Sequence, residues 1–156
     1  MVNNYNNGKI YKIVPNVDNA DEGDVYIGST TKERLCQRKT AHRGDYSKWK
    51  NGKHNNISSF DIFDKYGIKN CSIILIEEVN CESKDQLLSR ERFYIESISC
   101  VNKSIPTRTQ KEYYIDNKEK HKEQQKQYYE INKEIIKEQV KEYHEENKTK
   151  INERKK

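Results

Sequence analysis

Long apolar runs are missing from this 156-residue chain. None approaches the roughly 20 residues a membrane-spanning helix needs, and the opening M-V-N-N-Y-N-N-G-K lacks an apolar signal core. A soluble, intracellular protein (cytoplasm or nucleus) with no membrane partner is expected. Clustered metal-binding cysteines are missing too. Cys36, Cys71, Cys81 and Cys100 are scattered with no C-x-x-C pair; this argues against a zinc site and for reduced thiols. A dominant charge sign is also absent. The chain carries 30 basic and 25 acidic residues, divided 16 to 14 over residues 1–107 and 14 to 11 over 108–156. Neither part is a polybasic block, so any contact with a polyanion must come from local patches.

Apolar residues are scarce overall. They make up 32% of the chain against 35% charged, with a mean hydropathy of -1.22, too polar for a chain that is globular from end to end. Most lie before Val101. The chain therefore divides into a core-bearing domain, 1–107, and a charged helical tail, 108–156.

Within the first part, Lys9 to Val14 is β-rich between Gly8 and Pro15, and Val25 to Ser29 reads as a second strand. The two are placed to form an antiparallel hairpin across a long polar connection. Thr30 and Glu33 fit a helix capping box, so a helix is expected to start there and to end or break at Gly44. The apolar spacing of Ile57, Phe60, Ile62, Phe63 and Tyr66 suits a short helix closed by Gly67. Cys71 to Val79 is the most hydrophobic stretch and the expected central strand. Ser83 to Ile98 reads as a helix, with Leu87, Leu88, Tyr94, Ile95 and Ile98 available for its buried face.

The tail carries a 15-residue repeat: K-E-Y-Y-I-D-N from 111, K-Q-Y-Y-E-I-N from 126 and K-E-Y-H-E-E-N from 141. Fifteen residues make about four helical turns, so equivalent positions stay near one face. Lys and Glu dominate the remainder, which favours an exposed helix, and a continuous coiled-coil seam is poorly supported. Lys, Tyr and Asn in the tail are suited to touching phosphates and bases. A solvated spacer or a self-association helix fits equally well.

Two tyrosine-bearing strands followed by a helix with Arg38 and His42 one turn apart resemble the GIY-YIG nucleases. Tyr26-Ile27-Gly28 stands intact as the second half-motif. The first is Lys9-Ile10-Tyr11, which keeps the tyrosine and has lysine where the family has glycine. His54 resembles a loop histidine of the homing-endonuclease branch. Glu91, in R-E-R-F-Y-I, occupies the place of the family's metal-binding glutamate, and Asn102 is the nearest match to an asparagine beyond that helix. The resemblance covers about residues 8 to 105. It implies an α+β fold, with a small three-stranded antiparallel sheet flanked by helices, followed here by the long charged C-terminal helix.

It also implies a DNA endonuclease that hydrolyses phosphodiester bonds with one divalent ion, Mg²⁺ or Mn²⁺, and no small-molecule cofactor. Tyr11, Tyr26, Arg38, His42 and Glu91 would be catalytic, Glu91 the metal ligand, and Lys9, Gly28, His54 and Asn102 substrate-binding. The residue chemistry suits these roles. A carboxylate completed by water and phosphate oxygens satisfies Mg²⁺. Arg38 presents a fork matched to phosphate, and His42 can exchange a proton near neutral pH. A tyrosine, with a reference pKa of about 10, needs a nearby cation or metal-polarised water to act as a base.

Plainer readings stand beside these. Glu91 would then be a surface glutamate paired with Arg90 or Arg92, Tyr11 and Tyr26 core aromatics, and Arg38 and His42 part of a solvated basic face. His54 is equally a catalytic, DNA-contacting or ordinary loop residue. Two other functions remain open: a GIY-YIG-fold nucleic-acid-binding module without activity, and an interaction protein acting through its tail. The abundance of Asn, Lys, Ile and Tyr points to an AT-rich genome, such as that of a virus or mobile element.

Overall fold

The computed structural model describes residues 4–148, which divide after Thr107 into two compact units. The first is α+β. Its strands β1 (Gly8–Pro15), β2 (Tyr26–Thr30) and β3 (Cys71–Val79) form an antiparallel sheet in the order β2-β1-β3. Three helices flank it: α1 (Leu35–Lys50), α2 (Ser59–Tyr66) and α3 (Lys84–Ser97).

The expected central strand is corrected by this order: β1 is central and β3 lies at an edge. Hydrophobic content misled here because β3 leaves Ile74 and Leu75 exposed, whereas β1 buries side chains on both faces. Strand alternation explains the burial. Tyr11 and Ile13 of β1 face a cluster with Tyr26, Phe60 and Phe63, onto which Leu35, Tyr46 and Trp49 of α1 also pack. Ile10 faces the opposite way, with Ile27, Leu87 and Ile95 under α3.

The start and end expected for the first helix are also corrected. Thr30 is the last residue of β2, paired with Lys9, and its hydroxyl accepts from the Lys32 amide. Strand pairing thus overrides the local capping pattern, and α1 begins at Leu35. It passes through Gly44 to Lys50. A glycine inside a helix costs about 1 kcal/mol relative to alanine, which the packing of Tyr46 and Trp49 beyond it offsets. Gly67, at φ 80°, closes α2 as its sequence position suggests, and the Ser83 hydroxyl caps α3 by accepting from the Gln86 amide.

In the second unit the helix is interrupted at Asn117, giving α4 (Gln110–Asp116) and the 29-residue α5 (Lys118–Glu146). The repeat has a structural counterpart. Asn117, Asn132 and Asn147 each donate from Nδ2 to the carbonyl four residues earlier, that of Tyr113, Tyr128 and Tyr143. Neither helix buries a residue. Among the described residues, no helix is long and apolar enough to cross a membrane.

Candidate active site

The site is assembled where the short edge strand β2 lets groups from both faces of the sheet approach one another. On one face Tyr11 and Gly28 are directly paired across β1 and β2, with Tyr26 two residues from Gly28. Alternation turns Ser29 to the other face, under α3, where its hydroxyl donates to Glu91 Oε2 at 2.5 Å. A cavity of about 350 Å³ opens beside this edge, lined by Tyr26, Glu91 and Asn102 together with residues 56–58 and 103–104.

The Tyr11 hydroxyl is the hub. It is fully buried, accepts from Arg38 Nε at 2.9 Å and is hydrogen-bonded to His42 Nε2 at 2.8 Å. Arg38 and His42 reach it together because they lie one turn apart on α1. The guanidinium stands about 6 Å from the Tyr11 ring centre. Its terminal Nη groups make no hydrogen bond among the described residues, which leaves them for a ligand. Tyr26 sits 6.5 Å from Tyr11 by ring centres and packs edge-on against His42 at 5.6 Å.

Burial sets the electrostatics. It pushes the Tyr11 phenol above its ordinary range, with the Arg38 charge and hydrogen bond acting to bring it down. Burial likewise raises Tyr26, and the adjacent Tyr11 and Glu91 add to the rise. His42 is driven down to about 4 by burial and then by Arg38. This corrects the expectation of a histidine that exchanges protons near neutral pH: the ring is 1% exposed and is a neutral hydrogen-bonding group there. Its Nδ1 meets the Ser59 hydroxyl at 3.3 Å.

Glu91 is raised by burial, against the opposing hydrogen bonds from Ser29 and the charge of Arg38. The plainer reading, in which it pairs with a neighbouring arginine, gives way to this arrangement: Arg90 pairs with Glu77 and Arg92 with Glu96. A desolvated carboxylate at a cavity wall fits a divalent cation, whose charge would offset the burial cost. Among the described residues no three His, Cys, Asp or Glu cluster to hold a metal. A cation at this wall would have Glu91 as its protein ligand and would need water or other oxygens to complete its shell, an arrangement Mg²⁺ tolerates well.

The expected substrate-binding residues are placed differently from one another. Gly28 lies against Tyr11. Asn102 spends its amide on β2, accepting from the Ile27 N–H and donating to the Ile27 carbonyl, both at 2.8 Å. With the Val101 amide donating to the Val25 carbonyl, it fastens the free edge of the strand that carries Tyr26 and Gly28. Asn102 is thus a fastener of the cavity wall. Lys9 lies on the Tyr11 face two residues away, but its ammonium is directed to the Asn7 carbonyl and Glu78. His54 contacts the Asn55 carbonyl and the Phe60 ring, neither of which belongs to the Tyr11–Glu91 group.

Sequence reasoning missed Ser29 and Ser59. Ser29 follows the Tyr26-Ile27-Gly28 motif, and strand alternation alone would have turned it toward α3. For Ser59 no local signal exists, because its partner His42 is 17 residues away. The charge of the first unit is also concentrated near the site. Between Lys32 and Lys53 there are eight basic and two acidic residues, and this stretch contains α1 with Arg38. The chain matches no protein-family model, and no curated protein or solved structure is significantly similar to it.

Proposed function

We propose that residues 1–107 are a GIY-YIG-type nuclease domain that hydrolyses phosphodiester bonds in DNA, as a homing-endonuclease-like enzyme, with Mg²⁺ or Mn²⁺ held at Glu91. The observation that carries this reading is the cluster of Arg38 and His42 on the Tyr11 hydroxyl, with Tyr26 beside it joining that cluster to a cavity that Tyr26 and Glu91 line. Core packing alone gives no reason to bury a histidine and half-bury an arginine and a glutamate around two buried tyrosines.

Each residue has a task suited to its surroundings. Arg38 spends Nε on Tyr11 and offers its remaining N–H groups to the phosphoryl oxygens, where charge builds up during displacement. Tyr11 accepts the proton of the attacking water in its phenolate form, which the charge and hydrogen bond of Arg38 favour against the burial that raises the phenol. The water oxygen bonds to phosphorus as the bond from phosphorus to the leaving sugar oxygen breaks, and solvent water protonates that oxygen. Tyr26, at the cavity wall, positions the water. Glu91, oriented by Ser29, would hold the divalent ion, which would supply Lewis-acid charge neutralisation and acidify bound water. The basic stretch from Lys32 to Lys53 attracts the polyanion. All four cysteines are free thiols, which supports an intracellular, reducing setting.

Supercoiled-plasmid cleavage with Mg²⁺ or Mn²⁺ tests the reading, comparing the wild type with Glu91→Ala and Arg38→Ala. Nicking by the wild type alone is expected. A wild type that binds several DNA forms without cutting any would leave an inactive binding module of the same architecture.

A further inference from the structure

The buried hydroxyl of Ser59 has one hydrogen-bond partner among the described residues, His42 Nδ1, and the residue is fully enclosed at 0% exposure. A hydroxyl sealed from water must donate its hydrogen to some acceptor. Nδ1 is the acceptor available, so Nδ1 is unprotonated. A neutral imidazole without a hydrogen on Nδ1 carries it on Nε2. Nε2 lies 2.8 Å from the Tyr11 oxygen, to which Arg38 Nε donates at 2.9 Å. The opposite tautomer would aim an N–H at Ser59 and leave the serine hydrogen with no acceptor.

We propose that Ser59 is a positioning residue. Its hydroxyl holds His42 as the Nε2–H tautomer, so that two N–H donors, from His42 and Arg38, converge on the Tyr11 oxygen. Both donors stabilise negative charge on that oxygen without needing to reorganise, and the neighbouring Tyr26 hydroxyl, the other side-chain hydrogen-bond partner of Tyr11, is left to accept the phenol's own hydrogen. Ser59 thus acts on Tyr11 through a relay from α2 to α1 to β1, touching neither substrate nor metal. Its expected effect on rate rests on Tyr11 being the base of the proposed hydrolysis; the tautomer itself does not.

The ring-nitrogen NMR spectrum of His42, in the full-length ¹⁵N-labelled protein at neutral pH, reads the tautomer directly. The wild type should show Nε2 protonated and Nδ1 bare. Ser59→Ala should shift the ring toward the Nδ1–H form, and Ser59→Thr, which keeps the hydroxyl, should restore the wild-type pattern. In cleavage assays Ser59→Ala should lower kcat by about tenfold with KM for DNA unchanged, and Ser59→Thr should recover most of the loss. A wild-type ring protonated on Nδ1, or on both nitrogens, would overturn the proposal without any variant having to fold. So would a Ser59→Ala protein with an unaltered Nε2–H ring. If the tautomer responds as expected in a protein that cuts no DNA, the relay stands and the nuclease reading falls.

Discussion

The Gly28 backbone passes so close beneath the Tyr11 side chain that a Cβ at position 28 would stand 2.6 Å from the Tyr11 hydroxyl oxygen and 3.1 Å from the Tyr26 ring. The two residues are direct partners across β1 and β2, and the tyrosine lies over the glycine with no room for a methyl group. Gly28→Ala should therefore destabilise the domain by about 1–3 kcal/mol, the usual cost of overpacking a filled core. It should also push the Tyr11 oxygen away from Arg38 and His42, so activity falls even at temperatures where the variant is folded. Thermal unfolding and cleavage measured side by side check this; an unchanged Tm would mean that the ring moves aside at no cost.

His42 ties stability to pH. Its folded-state pKa, about 4, lies below the ordinary 6.5, so between those values the unfolded chain binds a proton that the folded one refuses. The stabilisation is fully present above pH 6.5 and is lost as pH falls toward 4. By linkage the difference amounts to about 3 kcal/mol. Urea unfolding at pH 7 and pH 4.5 should reveal the drop, and His42→Gln should remove most of the pH dependence in that window. Equal slopes for the two proteins would contradict a buried neutral ring.

At Glu91 the sign is reversed. Its folded-state pKa is raised by burial, so the folded chain holds a proton more tightly than the unfolded one. Stability contributed by the protonated form is lost as pH rises above the ordinary carboxylate range. Near neutral pH, without divalent cation, Glu91→Gln should be at least as stable as the wild type. Millimolar Mg²⁺ or Mn²⁺ should raise the Tm of the wild type and leave that of Glu91→Gln unchanged, since only a ligand that binds the folded state stabilises it. Identical responses in a thermal-shift titration would remove Glu91 from the cation site.

These relationships differ in how far the sequence reveals them. The elements that carry Tyr26, Gly28, Arg38, His42 and Glu91 are readable because each residue sits in a short local pattern on a strand or helix. Strand order is not: Cys71–Val79 is apolar enough to be central, yet partner choice depends on which strand has both faces covered, and that is β1. The Thr30–Glu33 pattern failed because a cap competes with strand pairing, which spans more residues. Asn102 could be placed near the site but not given its task, since a side chain bonded to backbone 75 residues away leaves no mark on its neighbours. The serines are the extreme case: a hydroxyl is equally at home in a cap, a loop or a buried relay.

Burial in the described chain ends well before the tail. The last buried residue is Ile95, and α4 and α5 contain none. On α5 the large apolar residues stand in solvent, Ile131 at 81% exposure. The helix then depends on intrinsic propensity and local pairs such as Glu134–Lys137, and such helices melt gradually as they are heated. Residues 1–107, which hold both apolar clusters, should accordingly fold without the tail. Their tertiary melting, followed by near-UV circular dichroism, should stay within about 2 °C of the full chain, because both apolar clusters lie within 1–107 and neither α4 nor α5 buries a residue. The far-UV signal of the full chain should in contrast decline steadily before that transition. Plasmid cleavage by the truncated chain should persist at saturating DNA. If the truncation instead abolished folding, the core of residues 1–107 would be too small to stand alone.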